Sequence, residues 1–172
     1  MMEYMGGSID DKVIDKVLCG IKDNEKSLEM KNFIQHGNTN IYDHGLHVAK
    51  LSYILNYKLH LHCNIRTLIK GAFLHDMSLY DWHDKKPEHR LHGFKHAKVA
   101  RDNAVKYLDI DEDVQDIIYR HMWPLNITRI PKSKEAWVVC MADKVCATQE
   151  FIEGKINRVK NIKSKRQSTY EL

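Results

Sequence analysis

Residues 65–76 read Ile-Arg-Thr-Leu-Ile-Lys-Gly-Ala-Phe-Leu-His75-Asp76, an apolar stretch of helical character that ends on two polar residues. At about 100° per residue, His75 falls on the stripe of Leu68, Gly71 and Ala72, so its side chain is expected to point inward. A buried imidazole beside a carboxylate needs a partner, because an unpaired buried charge is costly. A metal ion would serve, and the neighbouring segments supply candidate ligands.

Outward from this stretch the pattern stays helical. Only three prolines and eight glycines interrupt 172 residues, and no alternating strand pattern is sustained. Helices are expected over 9–21, 25–36, 41–60, 64–76, 93–108, 112–122 and 133–153, with Asn64 and Asp111 as N-caps and Pro131 and Ser133 marking the last helix start. The segment from Met77 to His92 is charged, holds Pro87 and is longer than most helix connections, which favours a functional loop. The chain reads as one all-α domain, 1–172, a compact bundle of six or seven helices with its motif-bearing part over about 40–150. Residues 155–172 form a basic tail, expected to be solvated and frayed at its end.

Composition sets limits on function. The hydrophobic fraction of 43% and charged fraction of 29% are those of an ordinary globular protein. No apolar run approaches the ~20 residues needed to cross a membrane, and Met1–Asp10 lacks a signal-peptide pattern. A cytoplasmic location and no membrane partner are therefore expected. The four cysteines show no C-x-x-C spacing, and the net charge of +4 is mild, so no nucleic-acid partner is expected. The unusual number is 11 histidines, nine of them between His44 and His96 inclusive. Histidine is the commonest metal ligand, and such clustering calls for a site.

Four polar residues sit near the middle of apolar stripes on four separate helices. His44 lies between Val48, Leu51 and Leu55; His75 lies with Leu68 and Ala72; His121 with Val114, Ile117 and Ile118; Asp143 among Ala136, Val139, Cys140 and Ala147. A single histidine so placed is an ordinary hydrogen-bonded core residue, but buried aspartates are rare unless paired. Four on four helices, with Asp76 beside one of them, points to convergence in a bundle core. Mixed imidazole and carboxylate donors suit iron, manganese or zinc better than calcium.

The order His44, His75-Asp76, Asp143 resembles the HD superfamily of metal-dependent phosphohydrolases, in particular its small stand-alone bacterial members. His44-Gly-Leu-His-Val-Ala resembles the family's first-histidine segment, Gly71-Ala-Phe-Leu-His75-Asp76 the segment that names the family, and Met141-Ala-Asp143-Lys the last-aspartate segment. Leu91-His92-Gly-Phe-Lys-His96-Ala and Ile118-Tyr-Arg-His121 resemble the segments that supply further histidines in two-metal members. The resemblance implies that His44, His75, Asp76, His92, His121 and Asp143 hold one or two divalent ions (iron, manganese, zinc or similar, magnesium also being compatible), with Asp76 bridging. His96, four residues from His92 and on the same helical face, is the alternative to it.

By the same resemblance His75 and Asp76 are the catalytic pair, and metal-activated water attacks a phosphate ester or anhydride of a nucleotide or related small phosphorylated molecule. Lys85, Lys86, Arg90 and His96 could meet substrate phosphates, while Trp82 and Trp123 could stack on a base or wall the pocket. Met77-Ser78-Leu79 follows the pair where the subgroup that cleaves cyclic dinucleotides has Ile-Gly-Lys, and no Gly-Tyr-Pro follows. Two other readings compete: a di-iron oxygenase of the same superfamily, and a non-catalytic metal- or nucleotide-binding module.

Overall fold

The computed structural model describes residues 9–82, 84 and 92–169, with side chains described for 11–82, 84 and 93–160. Seven helices are present among them: α1 Ile9–Val17, α2 Glu25–Glu29, α3 Ile41–Lys58, α4 Ile65–Leu74, α5 His92–Tyr107, α6 Glu112–Arg120 and α7 Lys134–Thr169. A 3-10 turn at Met30–Asn32 and a two-stranded hairpin, β1 Ile34–His36 and β2 Thr39–Asn40, lie between α2 and α3. The fold is the helical bundle that the 3.6-residue periodicity predicts.

Helix starts follow side-chain chemistry. Asn64 accepts from the amides of Arg66 and Thr67 at 3.1 and 3.2 Å, and so caps α4. Asn40 caps α3 by accepting from the Asp43 amide at 2.8 Å. Ser133 Oγ accepts from the Ala136 amide at the start of α7. Asp111 does stand at the N-cap of α6, yet its side chain makes no capping bond.

Helix α4 is the centre of the bundle. Leu68, Ile69, Gly71, Ala72, Phe73 and Leu74 are all buried, and α3, α6 and α7 pack around them. Two glycines set how closely the neighbours approach. A Cβ at Gly45 of α3 would run into the carbonyl oxygen of Phe73, and one at Gly71 would stand 2.8 Å from Ile117 of α6. Absent these methyl groups, α3 and α6 close on α4 from two sides, which draws His44 and His121 toward His75.

Two segments depart from the sequence expectation. Residues 25–36 were expected as one helix, but the helix stops at Glu29 and Ile34–His36 forms a strand. Three strand residues are too few to show a period, and their conformation is settled by packing on α3 and α7. The last helix, expected to end at 153, continues to Thr169 and takes in most of the basic tail. Lys and Arg are good helix formers, and neither proline nor a glycine after Gly154 stops the run.

Candidate metal centre

His44 on α3, His75 and Asp76 at the end of α4, His121 at the end of α6 and Asp143 on α7 meet in one buried cluster, joined by His96 of α5. Asp76 lies at its middle. Its Oδ2 is 3.1 Å from His75 Nε2 and 3.7 Å from His44 Nε2. Its Oδ1 is 3.1 Å from His96 Nε2 and 3.3 Å from His121 Nε2. Asp143 Oδ1 lies 3.3 Å from His44 Nε2 and 3.5 Å from His75 Nε2.

Three imidazoles have their outer nitrogen tied to an acceptor. His75 Nδ1 and His121 Nδ1 each lie 2.7 Å from a backbone carbonyl three residues earlier, of Ala72 and Ile118. His44 Nδ1 is 2.9 Å from Glu150 Oε2. With Nδ1–H donating outward, each Nε2 is turned toward the carboxylates, the arrangement that orients histidine ligands.

Electrostatics couple the group tightly. Burial opposes charge on His44, but the carboxylates of Asp143 and Glu150 prevail and raise it to about 9. His75 is raised well above the ordinary histidine value in the same way, against burial, by Asp76 and Asp143. Burial opposes the charge on Asp76 and Asp143 too, yet the surrounding imidazoles hold both well below the usual carboxylate range. His121 is lowered, chiefly by burial. Protons thus fill the role of counter-charge for buried carboxylates, a role a divalent cation also fills.

The donor set fits such a cation. His75 Nε2 and Asp76 Oδ1 are buried without a hydrogen-bond partner, although other donors and acceptors crowd within 3.5 Å of them. His96 Nε2 and His121 Nε2 face each other at 2.9 Å. Buried polar atoms left without a partner at the centre of converging imidazole and carboxylate donors are what a metal would satisfy. Among the described residues, two sets each offer ligand atoms lying within 4.8 Å of one another: His36, His44, Asp76 and Asp143 in the first, and His75, Asp76 and His121 in the second.

Other candidates fall elsewhere. Lys85, Lys86 and Arg90 lie outside the described residues. His92 opens α5, and its side chain is likewise outside them. Trp82 lines a cavity of about 670 Å³ that reaches Asp76, His96, His121 and Asp143. Trp123 packs edge-on against Trp137, ring centres 4.9 Å apart, and is not among the residues described as lining that cavity.

The structure also adds residues that stripe reading passes over. Gln35 Nε2 donates to Asp76 Oδ2, and His36 stands edge-on to His44 with ring centres 5.0 Å apart. Both come from β1, where the sequence suggested helix. Lys144 lines the cavity, donating to the carbonyls of His121 and Cys140. It adjoins Asp143 in the sequence, a signal that could have marked it.

The family model described as HD domain matches residues 41–148, well over half of the chain. The chain belongs to the HD domain family. The HD domain match opens at the first residue of α3 and closes just short of Glu150, so β1 and Glu150 lie outside it. No curated protein and no solved structure matches the chain. As in HD domains generally, the buried His/Asp group of this one could hold a divalent metal.

Proposed function

We propose that this HD-domain protein is a metal-dependent phosphohydrolase acting on a small phosphorylated molecule, with nucleotides the first class to consider. The observation that carries the reading is the two-sided environment of Asp76, one oxygen facing His75 and His44 and the other facing His96 and His121. A divalent ion bound there would supply a nucleophilic water at neutral pH and would neutralise charge building on the phosphoryl oxygens. His44, His75, Asp76, His96, His121 and Asp143 are the proposed holders, with His92 the candidate that the family register adds.

The chain's own residues supply the rest. Gln35 donates to Asp76 and holds its carboxylate plane in the cluster. Lys144 brings an ammonium group to the cavity wall, within 3.8 Å of Asp143, where a phosphate would enter. Trp82, Pro124 and Leu125 line the same cavity and offer an apolar surface for a base. A volume of about 670 Å³ suits a nucleotide-sized ligand. Lys85, Lys86 and Arg90 are proposed as further phosphate contacts on the strength of their position in the sequence beside Asp76.

The test is phosphate release from a panel of nucleoside mono-, di- and triphosphates and phosphodiesters, after loading the full chain with manganese, iron or zinc. Release by the wild type and its loss in Asp76→Asn are the expected results. A metal-loaded protein that turns over nothing on the panel overturns the reading. Oxygen consumption with a carbon substrate, without phosphate release, would place the protein with the di-iron oxygenases instead.

A further inference from the structure

Glu150 is 6% exposed, and both of its carboxylate oxygens are taken by histidines of α3. Oε2 meets His44 Nδ1 at 2.9 Å, and Oε1 meets His47 Nδ1 at 2.8 Å. Asp143 lies two helical turns earlier on the same face of α7, and its Oδ1 approaches the other ring nitrogen of His44 at 3.3 Å. Two carboxylates of one helix therefore grip the two nitrogens of one imidazole. Burying Glu150 as an anion is costly unless it is paired, and these imidazoles draw it down to about 2 against its burial.

Helices α3 and α7 are in contact at other positions apart from this pair. The position of the pair is more particular. Glu150 Oε2 engages Nδ1 of His44 and sets the ring plane, so that Nε2 is presented to Asp76 and Asp143. Behind it lies a second cavity of about 370 Å³, lined by Thr39, His47, Lys50, Cys146, Gln149 and Glu150. His47, half-exposed and one turn along from His44, fills Oε1 on the side facing this cavity.

We infer that Glu150 is a positioning residue for His44, acting on metal affinity through that ring, and that His47 holds Glu150 in the required pose. The inference rests on the metal reading of the cluster and adds to it a residue outside the HD-domain match. A carboxylate hydrogen-bonded to a ligating histidine orients the ring and raises its donor strength, and losing such a partner typically weakens metal binding about 10–100-fold.

The experiment is titration of the full chain with Co(II) against a competing chelator, followed by the visible band of the bound ion, with circular dichroism as a check on folding. Glu150→Ala is expected to weaken Co(II) binding about 10–100-fold and to shift the band. Glu150→Gln keeps shape and an acceptor oxygen, so it carries the decision if the alanine variant fails to fold. Having lost the negative charge, it is expected to weaken Co(II) binding and shift the band in the same direction as the alanine variant but by less, because a neutral acceptor raises the donor strength of the ring less than a carboxylate does. His47→Ala is expected to give a smaller loss in the same direction. Wild-type affinity and band in Glu150→Gln, together with the same in any folded Glu150→Ala, overturns the inference even if thermal stability has dropped. A wild type that binds no Co(II) overturns the metal reading and this inference with it.

Discussion

Gln35 Nε2 donates to Asp76 Oδ2 at 2.5 Å, joining a strand residue to the carboxylate at the centre of the cluster across 41 positions of sequence. Hydrogen bonds to a charged group contribute roughly 1.5–3 kcal/mol. Gln35→Ala is therefore expected to lower the stability of the metal-free protein by about that amount and to loosen Asp76. Urea denaturation measures the first effect and metal affinity the second. An unchanged midpoint and unchanged affinity would mean that Asp76 is held without Gln35.

His92 precedes His96 by four residues on α5, and His96 Nε2 stands 3.1 Å from Asp76 Oδ1. His96→Ala is expected to reduce bound metal, measured by elemental analysis of the purified protein, with phosphate release falling alongside. His92→Ala is expected to retain more metal than His96→Ala. The reverse order would assign the ligand to His92.

The coupled charges give a pH signature with a definite sign. His44 is raised from 6.5 to about 9, so its contribution to stability is complete below pH 6.5 and is lost as pH rises through 9. Glu150 is lowered from 4.5 to about 2, so its contribution is complete above pH 4.5 and is lost as pH falls through 2. These two contributions are both complete between pH 4.5 and 6.5. Thermal unfolding of chelator-treated protein should show Tm declining from pH 6.5 toward 9. The rise in Tm on adding Mn(II) should grow over the same range, because the ion and the His44 proton compete. A Mn(II)-induced rise that shrinks with pH would contradict this competition.

The two close approaches onto α4 differ in what blocks them. An added Cβ at Gly45 meets backbone, the Phe73 carbonyl, whereas one at Gly71 meets the Ile117 side chain. Overpacking of this kind costs about 1–3 kcal/mol. Gly45→Ala is expected to exceed Gly71→Ala in denaturation midpoint lost, since a backbone carbonyl yields less than a side chain. Both variants should also bind metal more weakly, because each pushes a helix carrying a cluster histidine away from His75. Wild-type stability in Gly45→Ala would show that α3 can shift without penalty.

The helical bundle and the burial of four candidate-site residues were legible because helical periodicity is local. Once Leu68, Ala72 and His75 share a stripe, the burial of that stripe follows, and the same holds for His44, His121 and Asp143 on their own helices. The strand carrying Gln35 and His36 was not legible: three residues hold no period, and although they pair locally with β2, contacts with α3 and α7 are what place them against the cluster.

Glu150 sat in view on the expected last helix, but nothing near it in sequence names His44, 106 positions away, as its partner. The sequence by itself determined which faces of the helices are apolar and which polar groups interrupt them. Only the tertiary structure decided which faces meet and how closely, because that depends on long-range packing such as Gly45 against Phe73 and Gly71 against Ile117. That packing brings Asp76 between imidazoles drawn from four helices, where a buried carboxylate requires positive charge on both sides.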